Sequence, residues 1–154
     1  MIRERIVEVA TACIGTKEGS PEHQTIIDIY NGYAKKVRPY KITKTDPWCA
    51  AFVSAVFIAA GHPELVPIDC SCFYMKNTAA VRRSLRDPAR YVPKPGDVIL
   101  YKMDGKKVVS HTGIVSKVEG SALEVIEGNY KDSVGIRKIK LSYKYIDSYI
   151  DIDG

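Results

Sequence analysis

Apolar positions in the first half of the chain recur at helical spacing. Ile2, Ile6, Val9, Ala10 and Cys13 share one stripe and Gly15 ends it, so Cys13 is expected to face the core as an inert thiol. A second helix is expected over His23 to Tyr33, with Ile26, Ile27 and Tyr30 inward. The stretch from Asn31 to Thr45 is basic, contains Gly32 and Pro39, and reads as a loop. The third helix carries the clearest boundary signals: Asp46 as a cap, Pro47 at the first helical position and Gly61 past the end. From Cys49 to Ala60 it is apolar almost all round, the pattern of a central buried helix. A fourth is predicted from about Cys72 to Leu85, ahead of Asp87-Pro88.

Beyond Pro93-Lys94-Pro95-Gly96 the period changes to that of short strands. These are expected at Asp97–Met103, Val108–Val118, Ala122–Asn129, Val134–Leu141 and Tyr145–Ile150, with turns at Asp104-Gly105, Glu119-Gly120 and Lys131-Asp132. Helices first and strands afterwards predict an α+β fold, helices on one face of a bent antiparallel sheet of about five strands. A single domain over residues 1–154 is expected, helical over 1–92 and sheet over 93–154, since 154 residues bury a core unaided.

Composition adds bounds rather than identity. No apolar run approaches the ~20 residues of a membrane helix, and Met1-Ile2-Arg3-Glu4-Arg5 leads into an amphipathic pattern rather than a leader. Synthesis in the cytoplasm is therefore expected. The formal charge of +5 is spread over Lys35, Lys36, Arg38 and Lys41, over Arg82, Arg83 and Arg86, and over Arg137, Lys138 and Lys140. Such a surface raises encounter rates with any polyanion and selects none. No nucleic-acid motif accompanies it, so no nucleic-acid partner is expected. Four cysteines are too few and too unevenly spaced for a disulfide framework. Cys70, Cys72 and His62 leave a tetrahedral zinc shell short, and the two cysteines read as a loop before a helix on a cleft rim. Neither metal nor cofactor is expected.

The chemistry concentrates at Cys49 and His111. A thiol at the first turn of a buried helix meets unpaired amides and a positive dipole end, both of which favour the thiolate. The same amides can donate to an oxyanion. On the second strand, Val109, His111, Gly113 and Val115 share a face, which is expected to look toward the helices. Leu123, Val125, Glu127 and Asn129 alternate onto one face of the next strand. A three-residue loop Glu119-Gly120-Ser121 pairs 118 with 122, setting His111 opposite Asn129 and diagonal to Glu127; a register two lower sets it opposite Glu127. Either way a carboxylate and an amide lie within reach of the imidazole, the parts of a cysteine-hydrolase triad.

Four segments then carry a family resemblance. Trp48-Cys49-Ala50-Ala51-Phe52-Val53-Ser54 resembles the nucleophile motif of CHAP domains, the cysteine- and histidine-dependent amidohydrolases/peptidases. Pro93 to Tyr101 is similar to their Pro-x-x-Gly-Asp entry into the sheet, Ser110 to Val115 to their His-x-Gly-Ile-Val strand, and Val125 to Asn129 to their Glu-Gly-Asn turn. Ile26 to Asn31 resembles a segment of phage-type members.

The resemblance implies a papain-like fold and a peptidoglycan hydrolase resembling phage endolysins. The bond cut would be that of an N-acetylmuramoyl-L-alanine amidase or of a stem or cross-bridge endopeptidase. It implies Cys49 as nucleophile, His111 as base and acid, Glu127 as the group orienting the imidazole and Asn129 as a supporting polar residue, with the choice between these two left open. Trp48 and Ser110 would line the substrate cleft. The partner would be bacterial peptidoglycan, reached after release or export by a monomer with no wall-binding module after Ile150. No Asp-rich calcium loop of the kind some phage members carry is present. Two other readings stay open: a catalytically silent wall-binding module on the same fold, and an amidase of another small amide conjugate.

Overall fold

A computed structural model describes residues 1–154. Four helices, α1 (Ile2–Ala12), α2 (Pro21–Gly32), α3 (Cys49–Ala59) and α4 (Cys72–Val81), precede most of the sheet. The strands are β1 (Leu85–Arg86), β2 (Val98–Tyr101), β3 (His111–Glu119), β4 (Ala122–Tyr130), β5 (Ser133–Lys140) and β6 (Ile146–Ile150). They form one antiparallel sheet in the order β1-β6-β2-β3-β4-β5. The α+β expectation of helices packed on an antiparallel sheet holds, with six strands rather than five. The additional one, β1, lies in the half expected to be helical: α4 ends at Val81, and Arg83 at φ 61° turns the chain into a two-residue edge strand. No helix is long and apolar enough to cross a membrane.

Local chemistry sets the helix starts. At α2, the Ser20 hydroxyl accepts from the His23 N–H at 3.2 Å and Pro21 takes the first position, two residues earlier than periodicity suggested. At α3 the expected cap fails. Asp46 is drawn into its own turn, where it accepts from the Thr43 N–H at 2.8 Å, and the helix opens at Cys49 with Trp48 preceding it and no side-chain cap.

The helices and the sheet enclose a core that includes Ile6, Ile27, Phe52, Phe57, Val98, Leu100, Ile114, Ile126 and Ile150. The alternate residues Ile99, Tyr101, Val115, Leu123, Val125 and Tyr149 form a second cluster, which contains no helical residue. Val115 therefore points away from the helices, against expectation, while Val109 joins the main core.

Close approach depends on two glycines. A Cβ on Gly128 would lie 2.5 Å from the Phe52 Cβ, so its absence lets α3 rest on β4. A Cβ on Gly113 would lie 2.7 Å from the Glu127 Cγ, so its absence leaves room for that carboxylate.

Asp97 joins the ends of the chain to the sheet. Fully buried, it accepts from Arg3 at 2.9 Å, the Tyr91 hydroxyl at 2.6 Å, the Lys94 N–H at 2.9 Å and the Ile152 N–H at 3.2 Å. Replacing Asp97 with Ala leaves the Tyr91 hydroxyl and the Lys94 and Ile152 N–H groups without this acceptor, while Arg3 keeps the Pro95 carbonyl and Asp153. A loss on the order of 3 kcal/mol is expected from the buried donors left unpaired. A urea titration of Asp97→Ala checks it as a lower midpoint at unchanged slope.

Candidate active site

Cys49 is the first residue of α3, a helix start with no side-chain cap. The first amides of a helix lack intrahelical acceptors, and here no side chain takes their place. The Ala50 N–H instead favours the Cys49 thiolate. α3 packs on both β3 and β4, which carry His111 and Glu127.

His111 and Glu127 meet through the register of β3 and β4. The connection is a two-residue turn, Gly120-Ser121, pairing Glu119 with Ala122, rather than the three-residue loop expected. A bulge at Ser116 then shifts the pairing, so that Val115 faces Val125 and Ile114 faces Ile126. That inner register is the one the longer loop would have produced. The His111 Nε2 lies 2.9 Å from a Glu127 carboxylate oxygen, leaving Nδ1 as the ring nitrogen for the thiol. Glu127 is wholly buried, and both of its oxygens accept from the Arg137 Nε at 3.0 Å. Tyr101 stacks against His111, with ring centroids 5.8 Å apart.

The two reactive groups shift each other's ionisation. The Cys72 thiol, with its sulfur 3.7 Å from that of Cys49, donates to it and lowers the Cys49 pKa well below that of an ordinary thiol. Burial opposes this, and the hydrogen bond and positive charge of His111 reinforce it. For His111, burial also disfavours the charge, but hydrogen bonds to Cys49 and Glu127 outweigh it and raise the pKa to about 9. Each charge thereby favours the other, a thiolate beside an imidazolium.

The remaining sequence candidates divide. Ser110 and Asn129 line a hollow of about 440 Å³ beside His111, together with Lys106 and Lys131. Asn129 adopts φ 57°, at a bulge where β4 and β5 shift register. Of the two candidate orienters, Glu127 contacts the imidazole. Trp48 is not a cleft residue: it is wholly buried, with its indole N–H on Glu18 at 2.8 Å and its ring 4.2 Å from that of His23. Cys13 is half-buried with its thiol on the Val9 carbonyl, and burial raises its pKa. Sequence reasoning missed Arg137, and it set Cys72 on a cleft rim without its contact to Cys49. Arg137 had a usable signal, since it lies ten residues after Glu127 on the next strand of a hairpin. Cys72 had none, because its approach to Cys49 depends on how two helices pack. A larger hollow of about 530 Å³, at Arg3, Val7, Pro95 and Ser116, contains neither thiol nor imidazole.

The CHAP domain family model matches residues 41–129, more than half of the chain. Among solved structures, NlpC1 from Trichomonas vaginalis is similar at 12% identity and a TM-score of 0.53, over 97% of this chain and 44% of that one. Ly7917 is similar at 14% identity and a TM-score of 0.56, over 97% of this chain and 62% of that one. The chain thus spans less than two thirds of either, and at these identities the likeness speaks for the fold, papain-like α+β. No curated protein matches the sequence.

Removing the Glu127 charge makes imidazolium less favourable, so the His111 pKa falls and the Cys49 thiolate loses its cation. In Glu127→Gln the acidic limb of the iodoacetamide alkylation profile of Cys49 is expected to move to higher pH, with a large drop in turnover. In Asn129→Ala the limb is expected to stay nearly in place. The reverse pattern would make the amide the orienter.

Proposed function

Because the chain belongs to the CHAP domain family, whose members are amidase/peptidase-type hydrolases of peptidoglycan, we propose that it cuts an amide bond of bacterial peptidoglycan with Cys49 as nucleophile. The observation that carries this reading is the His111 Nε2 on buried Glu127 at 2.9 Å, with the other nitrogen left for a thiol at an uncapped helix start.

In this mechanism the Cys49 thiolate attacks the amide carbonyl carbon, and the first-turn amides of α3 donate to the oxyanion. His111, already protonated, gives its Nδ1 proton to the leaving amine as the C–N bond breaks, and a thioester to Cys49 remains. His111 then takes a proton from water, whose oxygen displaces the thiolate and releases the carboxylate. Glu127 holds the imidazole and its positive charge throughout, and Arg137 balances the carboxylate from behind. The bond is either the sugar–peptide amide or one within the stem peptide or cross-bridge.

Digestion of purified peptidoglycan, with mass spectrometry of the fragments, distinguishes these bonds. Cys49→Ala, still folded by circular dichroism, is expected to lose more than about 10³-fold in rate. Digestion by that variant at the wild-type rate would defeat the assignment, and no release of fragments by the wild type would favour a silent wall-binding module. A second measurement tests the acid role: hydrolysis is expected to fall as pH rises through about 9, where His111 loses its proton. Alkylation of Cys49 should not fall over that range, since the thiolate persists.

A further inference from the structure

Cys72 belongs to no step of hydrolysis, yet its sulfur is 3.7 Å from that of Cys49 across 23 residues of chain. Both are free thiols. Cys49 opens α3 and Cys72 opens α4, so two helix N-termini converge on one pair of sulfurs. Both dipole ends favour negative charge there. One anion is accommodated: the proton stays on Cys72, which donates to the Cys49 thiolate, and that anion in turn holds the Cys72 pKa well above its ordinary value. A thiolate with a second thiol in contact is the arrangement in which oxidation stops at a disulfide.

We propose that Cys49 and Cys72 are a peroxide-sensitive modification site, closing to a disulfide that blocks hydrolysis and reopening under thiol reductant. The Cys49 thiolate attacks one oxygen of a hydroperoxide; the S–O bond forms, the O–O bond breaks, and the departing hydroxide or alkoxide takes the His111 Nδ1 proton to leave as water or alcohol. Cys49 is then a sulfenic acid, two electrons more oxidised and no longer charged. Loss of that charge removes the repulsion that kept Cys72 protonated. The Cys72 sulfur attacks the Cys49 sulfur, the S–S bond forms, and hydroxide departs with the Cys72 proton as water. The sulfurs must close from 3.7 Å to about 2.05 Å, a change on the scale of side-chain rotation. A dithiol reverses the step by exchange and is itself oxidised to its disulfide.

Loss of activity rests on Cys49 as nucleophile, whereas formation of the disulfide does not. The test treats the full chain with a small excess of hydrogen peroxide, blocks remaining thiols with iodoacetamide, and maps the digest by mass spectrometry. A Cys49–Cys72 linked peptide is expected. Peptidoglycan hydrolysis should fall more than about tenfold in step with it and return to within about twofold under dithiothreitol. In Cys72→Ser, scaled to its own untreated rate, the loss should persist after dithiothreitol, because the sulfenic acid proceeds to sulfinic acid. Inactivation with only sulfinic acid at Cys49, or with linkage to Cys70 or Cys13, would overturn the pair, and the wild-type map decides this even if the variant misfolds. A linked peptide with undiminished hydrolysis would instead overturn Cys49 as nucleophile, and with it the block.

Discussion

Burying the Glu127 carboxylate removes its hydration, a cost of several kcal/mol unless other charges and donors replace the water. Arg137 and His111 replace it from the strands on either side, β5 and β3. That requirement fixes the pairing of three strands at once, because a slip by one residue on either side would turn a partner to the opposite face. The bulge at Ser116 belongs to the same constraint. It converts the register set by a tight two-residue turn into the one that brings His111 and Glu127 together.

The helical layer meets this arrangement at the point of closest approach. Gly128 gives up its side chain to Phe52, and the residue before it is Glu127 itself. The helix that opens at Cys49 is thereby seated on the strand that holds Glu127 against His111. Trp48, buried just ahead of Cys49, ties that helix to Glu18 in the N-terminal region. Positioning of the thiol thus comes from packing on both sides of it, not from a cap.

Legibility in the sequence followed the range of the interactions. Helical and strand periods are local, and they gave the α+β layout, α3 as the buried centre, and the turns between strands. Index sums across a hairpin are nearly local, and they placed Glu127 and Asn129 near His111 without choosing between them; the choice depends on the room beside Gly113 and on Arg137. Trp48 and Asp46 misled because each had a competing partner, Glu18 thirty residues away for the indole and Thr43 in the same turn for the carboxylate. The Cys49–Cys72 contact was invisible, since nothing in the spacing of two helices specifies how their ends face each other.

β5 closes one side of the sheet, and its outer edge is treated in two ways. At its start, residues 15–18 lie alongside: the Gly15 N–H donates to the Val134 carbonyl, the Val134 N–H donates to Thr16, and Lys17 bridges Ser133. Further on, where no segment covers it, the strand carries Arg137, Lys138 and Lys140, the last two exposed. Unpaired strand edges template aggregation, and cations on them repel the same edge of a second copy. Part of the excess basic charge therefore has a role unrelated to any polyanion: it protects the sheet from growing by one more strand.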